Sequence, residues 1–252
     1  MNKRIVGLVL LGLFIQAPVY AANEDWQFEL TPYLWFAGLK GEVATVPPLP
    51  AAPVDISPGD ALQDTQTSLM LLLTAMKNQQ GVFFDFLYSD VESDEELIPA
   101  PISLNMTSRS KTTMTTLAYQ YEAYRNKHAV LDILAGARYW SVNSKLTFSG
   151  GLGILAGTTV THDESWVDPI IGFTGHTPLG NSSFYMSGGA GAGGFGVGSD
   201  NFYELNLNFG YQWNQAIGTS IGYRMFDVDY NEGDFLYDVR QEGWLLGLTW
   251  TV

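Results

Sequence analysis

Asp85, Asp132, Arg138, Asp168, Glu204 and Arg224 each occupy the polar phase of a run in which apolar and polar residues alternate. Successive side chains of a β-strand point to opposite faces, so parity gathers these six charges on one side of the sheet that the runs build. Charges gathered in a confined interior must pair, because a buried charge without a partner is costly. Two chemistries are open to such a set. It can form a charged constriction or ligand clamp, with Arg138 and Arg224 balancing the carboxylates, or it can be an ionic plug that packs the interior. The plug is favoured, because barrels of about eight strands are filled by their side chains and ten strands add little width.

The other chemical candidates are weaker. Asp227, Asp229, Asn231 and Asp238 approximate a calcium-binding loop, but Glu232 stands where that loop needs glycine and Gly233 comes one residue late. A solvated acidic hairpin tip is the default there, and no metal site or cofactor is assigned. The run Gly188 to Gly198 lacks the Lys-Ser/Thr pair and the helix of a phosphate cradle, so it reads as a close-packed strand and turn. Of three histidines, His128, His162 and His176, only His162, beside Asp163 and Glu164, falls on the side where a surface hydrolase would work. No Gly-x-Ser-x-Gly elbow is present. No catalytic residue is assigned.

The elements that must position these charges are strands. Between Trp26 and the C-terminus there is no sustained helical period. Tyr203 to Trp213 shows the pattern plainly: odd positions are apolar or aromatic, and even positions are polar or glycine. Ten such runs fall near residues 26–40, 66–77, 81–92, 107–124, 129–148, 159–177, 183–195, 201–213, 216–230 and 236–252. Tight turns at 78–80, 125–128, 178–182 and 214–215 alternate with longer or more polar links at 41–65, 93–106, 149–158, 196–200 and 231–235. That rhythm belongs to a closed antiparallel transmembrane β-barrel with short inner turns and longer outer loops. Ten strands are expected, with eight or twelve as the alternatives. Five prolines between Pro47 and Pro58 predict that the first outer loop is irregular rather than a further strand.

Composition points the same way. Lys3 and Arg4, an apolar run from Ile5 to Ile15, and Pro18, Val19 and Ala21 read as a signal peptide over residues 1–21, leaving 22–252 as the barrel domain. The apolar run is shorter than a membrane-spanning helix needs, so any crossing must use strands. Loss of that peptide leaves 12 − 2 = 10 Lys and Arg against 26 Asp and Glu, a net of −16. Such a chain is a poor partner for nucleic acid. There is no cysteine, which excludes disulfides, thiolate metal sites, a cysteine nucleophile and a lipidated N-terminal cysteine. Alternation alone also fits a soluble barrel with its apolar face inward. Aromatics at both strand ends, a small-residue polar face and acids gathered in the loops favour lipid outside.

Several strings, taken in order, resemble a family of proteobacterial outer-membrane barrel proteins of uncharacterised function: Thr31-Pro32-Tyr33-Leu34-Trp35, Leu134 to Trp140, Trp166-Val167-Asp168-Pro169, Gly193 to Asp200, and Gly222 to Tyr230. The resemblance implies a Gram-negative outer-membrane location and says little of biochemistry. It also implies outer-membrane lipid, lipopolysaccharide and the barrel-assembly machinery as partners. The terminal Val252 departs from the aromatic end that this machinery reads, although Trp250 shares its face. Three functions follow as expectations. The first is a narrow pore or small-solute binder with an acidic outer rim that favours cations, Asp90, Glu92 and Asp94 to Glu96 attracting divalent ions. The second is a structural or adhesive surface barrel. The third is a surface hydrolase.

Overall fold

The structure is a computed structural model that describes residues 25–252 apart from 48, 99–103 and 151–156. The expected signal peptide, residues 1–21, lies outside the described residues. In chain order the elements are β1 (Gln27–Ala44), β2 (Ala52–Ile56), α1 (Pro58–Asp64), β3 (Thr65–Lys77), β4 (Gln80–Ile98), β5 (Leu104–Arg125), β6 (Val130–Gly150), β7 (Thr159–Pro178), β8 (Phe184–Gly193), β9 (Asn201–Gln212), β10 (Ile217–Glu232) and β11 (Phe235–Thr251). Each of the strands from β3 to β11 pairs with the next, β3 pairs with β1, and β11 returns to β1 from Glu29↔Thr251 to Ala44↔Leu236. Ten antiparallel strands thus close a barrel, and β2 is an added edge. All ten expected runs are found.

The period-2 pattern decides which face turns outward. Leu117, Tyr119, Ile133, Phe173, Leu207 and Trp244 are among the large apolar residues exposed on the outer wall, and Trp250 is 57% exposed. Their neighbours one step along each strand turn inward and are buried or half-buried. No helix of the described residues is long and apolar enough to cross a membrane, which says nothing against crossing by strands.

The wall is uneven in height. The β4–β5 pair runs from Gln80↔Tyr121 up to Ile98↔Leu104, while β8 ends at Gly193. Above Pro169, β7 therefore has no β8 neighbour. A turn at 194–200 fills part of that step, with Gly194 and Gly196 at φ 83° and 72°, a region that suits glycine. The β1–β3 ladder stops at Pro32↔Leu71, where proline has no N–H to give. Beyond it, from Leu39 to Val43, β1 takes β2 as its neighbour.

The first outer loop corrects the expectation of irregular chain. Its prolines permit a short edge strand, because Pro53 sits on the outermost strand where its missing N–H costs no ladder bond. Ser57 then caps α1, its hydroxyl accepting the Asp60 N–H at 3.2 Å, and Pro58 opens the helix.

Candidate functional site: a layered barrel interior

Parity places all six expected charges inside the barrel, and the structure sorts them into three groups. Asp85 on β4, Arg138 on β6, Glu204 on β9 and Arg224 on β10 form one network across the middle of the lumen. Arg224 donates to Asp85 Oδ2 at 3.1 Å, to Glu204 Oε2 at 2.8 Å and to the Tyr33 hydroxyl at 3.2 Å. Tyr33 in turn donates to Asp85 Oδ1 at 2.7 Å. Arg138 donates to the other Glu204 oxygen at 2.8 Å and to Thr116 Oγ1 at 2.7 Å. Glu204 thus bridges two guanidinium groups, and two cations balance two anions.

Aromatic rings complete the surroundings of both arginines. The Arg138 guanidinium carbon lies 4.8 Å from the Phe202 ring centre, and that of Arg224 lies 5.1 Å from Trp35. Arg138 is 0% exposed and Arg224 is 5% exposed. The belt is balanced in charge but not fully bonded: Arg138 Nη1, Arg224 Nε and the indole nitrogens of Trp35 and Trp140 have no partner among the described residues.

Asp168, the second group, is opposite Arg138 in the β6–β7 register but has another task. Its Oδ1 accepts the Ser199 N–H at 2.7 Å and its Oδ2 accepts the Trp166 indole N–H at 3.1 Å. It therefore pins the 194–200 turn over the lumen. Gly198 is needed there, because a Cβ would come within 2.6 Å of Asp168 Oδ1 and of the Val167 carbonyl. This accounts for the glycine-rich run as close packing. Asp132, the third group, lies near the inner end, where it accepts a hydrogen bond from Gln120 at 3.0 Å.

Above the belt the lumen is apolar. Trp140 stacks on Trp166 with ring centres 5.4 Å apart, and Trp166 stacks on Tyr230 at 3.9 Å. Val142, Val228, Phe235 and Val239 are at most 2% exposed beside them. The β10–β11 tip leans across the mouth to reach β7, covering the step left by short β8. His162 and Glu164 meet it there. The His162 ring lies over Phe235 at 5.5 Å, its Nε2 is 3.3 Å from Glu164 Oε2, and Tyr230 donates to Glu164 Oε1 at 3.1 Å. Burial and the Glu164 carboxylate push the Tyr230 phenol up to about 12, so it keeps its proton as donor at physiological pH.

Asp163, next to His162 in sequence, points outward to Asn143. The pair that forms is therefore His162 with Glu164, two residues apart and on one strand face, and the pair closes the mouth. The calcium-loop candidates also take a different form. Asp227, Asp229 and Asn231 lie on β10 within a continuous ladder, with Asp238 opposite Asp229. Among the described residues no group of three acids or histidines is placed to hold a metal ion. Asp227 is instead paired to Arg240 at 2.9 Å.

No protein-family model and no curated protein matches this chain. Among solved structures, the outer membrane protease OmpT from Escherichia coli superposes with a TM-score of 0.61 at 10% identity, covering 93% of this chain and 99% of that one. The translocator domain of autotransporter NalP from Neisseria meningitidis gives 0.48 at 10% identity over 90% and 89% of the two chains. Ail of Yersinia pestis gives 0.40 at 13% identity over 91% and 100%. The likeness to OmpT is one of fold: this chain is a closed ten-stranded antiparallel barrel of the kind that outer-membrane proteins adopt.

Proposed function

We propose that this protein is a plugged outer-membrane barrel that acts through its exposed outer rim, as a structural or adhesive surface protein, and not as an open conduit. The observation that carries this reading is the filled interior: an ion-paired belt beneath a stacked aromatic layer, both almost inaccessible. The apolar outer wall supports a lipid surrounding, since lipid-facing side chains of such barrels alternate with lumen-facing ones. The termini share one end of the barrel with the short turns at 126–129 and 213–216, which supports reading that end as the periplasmic one, since such barrels have short periplasmic turns and longer outer loops.

The rim then offers two features to the outside, the acidic strand extensions from Asp94 to Glu96 and the β2–α1 wedge. The narrow pore allowed by the sequence is less well supported, because side chains occupy the space that a solute would cross. A surface hydrolase is less well supported too, because His162 and Glu164 are engaged in closing the mouth.

Short epitope tags provide the test. A tag inserted between Gly233 and Asp234 should be reached by antibody on intact cells, and one at Lys127 only after the outer membrane is opened. The protein should fractionate with outer membranes and migrate faster unboiled than boiled. Recovery in the soluble periplasmic fraction, or equal access to both tags on intact cells, would overturn the proposal.

A further inference from the structure

Three rows of side chains share the outer face of β1, β11 and β10 near the mouth. The register puts Ala44, Leu236 and Asn231 in the top row, Glu42, Asp238 and Asp229 in the row beneath, and Lys40, Arg240 and Asp227 in the third. Residues two apart on a strand share a face at a spacing of about 7 Å, so each row stands one such step below the last. The cations of the lowest row are committed: Arg240 to Asp227 at 2.9 Å and Lys40 to Asp55 at 3.4 Å. The middle row has no such relief. Its three carboxylates face one another on adjacent strands, an arrangement that weakens a sheet, and the described residues supply no cation to any of them.

Such a row by itself is a solvated acidic rim. What sets this one apart is the cleft directly above it. The link from β1 to β2 folds back over the top row, and a cavity of about 310 Å³ opens between its Leu49, Pro50 and Ala51 and the β10–β11 tip, with Asp234 among its lining residues. That is the small end of the range for ligand sites, about 300–1,000 Å³, and suits an apolar side chain better than a large molecule. Both walls are held in shape. The Leu49 N–H donates to the Val46 carbonyl at 3.1 Å, and Val46 is 4% exposed. On the other side β10 and β11 stay paired up to Glu232↔Phe235, leaving only the two-residue turn Gly233-Asp234. Leu49 is nevertheless 44% exposed, an apolar wall kept at the surface.

An apolar group in the cleft, with a cation one strand step of about 7 Å away, would cover Leu49 and neutralise the middle row together. A metal ion alone would leave the apolar wall bare, and among the described residues no three acids or histidines are placed to hold one. An anionic polysaccharide would be repelled. In an extended peptide, side chains two residues apart share a face at that same spacing. We infer that the cleft and the acidic row below it form a docking site for an extended basic segment of a partner protein. A leucine-like side chain fills the cleft, and a lysine or arginine two residues along meets Glu42, Asp229 and Asp238. This deepens the reading of the rim as the partner-facing end and rests on it.

The test is calorimetric titration of the full barrel in a nonionic detergent at low salt. The probe is the acetylated and amidated peptide Leu-Ser-Lys-Ser-Leu-Ser-Lys, whose leucines and lysines fall on one face when extended. Wild type should bind it saturably. Asp229→Asn with Asp238→Asn should weaken binding by about tenfold, and so should Ala51→Trp, which fills the cleft without changing charge, again by about tenfold. Glu95→Gln with Glu96→Gln, on the β4 extension, should bind as wild type does. The isomer Leu-Lys-Ser-Ser-Leu-Lys-Ser has the same charge but puts leucine and lysine on opposite faces, and should bind about tenfold more weakly. Heat-modifiable mobility confirms that each variant is folded, and the isomer keeps the test informative if a variant fails to fold. Absence of saturable binding, equal binding of the isomer, no effect of Ala51→Trp, or equal loss in the β4 variant would overturn the assignment. Failure here while antibody still reaches the tag after Gly233 on intact cells strikes the docking site alone. Binding in detergent with that tag out of reach strikes the orientation alone.

Discussion

Replacing Arg224 with methionine removes the cation that two carboxylates share. In the structure Arg224 makes contacts at 3.1 Å to Asp85, 2.8 Å to Glu204 and 3.2 Å to Tyr33, and packs over Trp35. After the change Glu204 keeps Arg138 and Asp85 keeps the Tyr33 hydroxyl, so the belt holds one uncompensated negative charge. Removing one partner of a buried ion pair costs about 3–5 kcal/mol, whereas the same change at a solvated surface pair costs about 1 kcal/mol or less. The assay is reversible urea unfolding in micelles, followed by tryptophan fluorescence. Arg224→Met should fall in the first range. The double change Arg224→Met with Asp85→Asn, which restores neutrality, should recover at least half of the loss, a coupling well above what additivity allows for distant sites. A single-variant loss below about 1 kcal/mol would show that the belt is solvated, and the case for a filled lumen would fail with it.

Other consequences can be measured in the same way. Trp166→Ala removes the ring that stacks on both Trp140 and Tyr230, and should cost about 3–5 kcal/mol while exposing the β10–β11 tip to protease. Gly198→Ala forces a methyl group into contact with Asp168 Oδ1 and the Val167 carbonyl, each 2.6 Å from the new carbon. About 1–3 kcal/mol of destabilisation is expected, with faster cleavage in the 194–200 turn. Partial burial and the carboxylates of Asp238, Asp200 and Asp227 hold the Asp229 carboxyl above its ordinary range. An acid whose folded pKa is raised weakens the fold when ionised, in full above that pKa and not at all below its unfolded value. Asp229→Asn should therefore raise the unfolding midpoint at pH 7, and the gain should shrink as pH falls through the raised pKa. A gain that grows on acidification would contradict this account of the rim.

The barrel was legible in the sequence because its two faces differ in polarity along every strand. Tyr203 to Trp213 shows that contrast residue by residue, and the tight turns between runs give the hairpin order. Parity likewise brought Asp85, Arg138, Glu204 and Arg224 to the inside. What parity cannot tell is the height at which each charge sits and which partner it meets across the lumen. Arg224 and Asp85 lie on strands that do not touch, and only barrel tilt and stagger bring them together. The same limit hid Tyr33 and Trp35, which read as aromatic strand residues, and Gln120, which has no charge to draw notice. The His162–Glu164 pair was within reach, since residues two apart on a strand share a face, although the lean of the β10–β11 tip that covers it depends on the shortness of β8. The β2–α1 wedge was obscured by its prolines, which mark an edge strand and a helix start as readily as a loop.

Conductance of the purified wild-type barrel in a planar lipid bilayer tests the central claim most directly. The filled lumen predicts no stable single-channel steps from wild type, and steps only after Arg224→Met is combined with Trp166→Ala to breach both the belt and the aromatic layer. Stable steps from the unmodified protein, changing in size with Glu204→Gln, would show that the lumen is an open charged pore and would contradict the account.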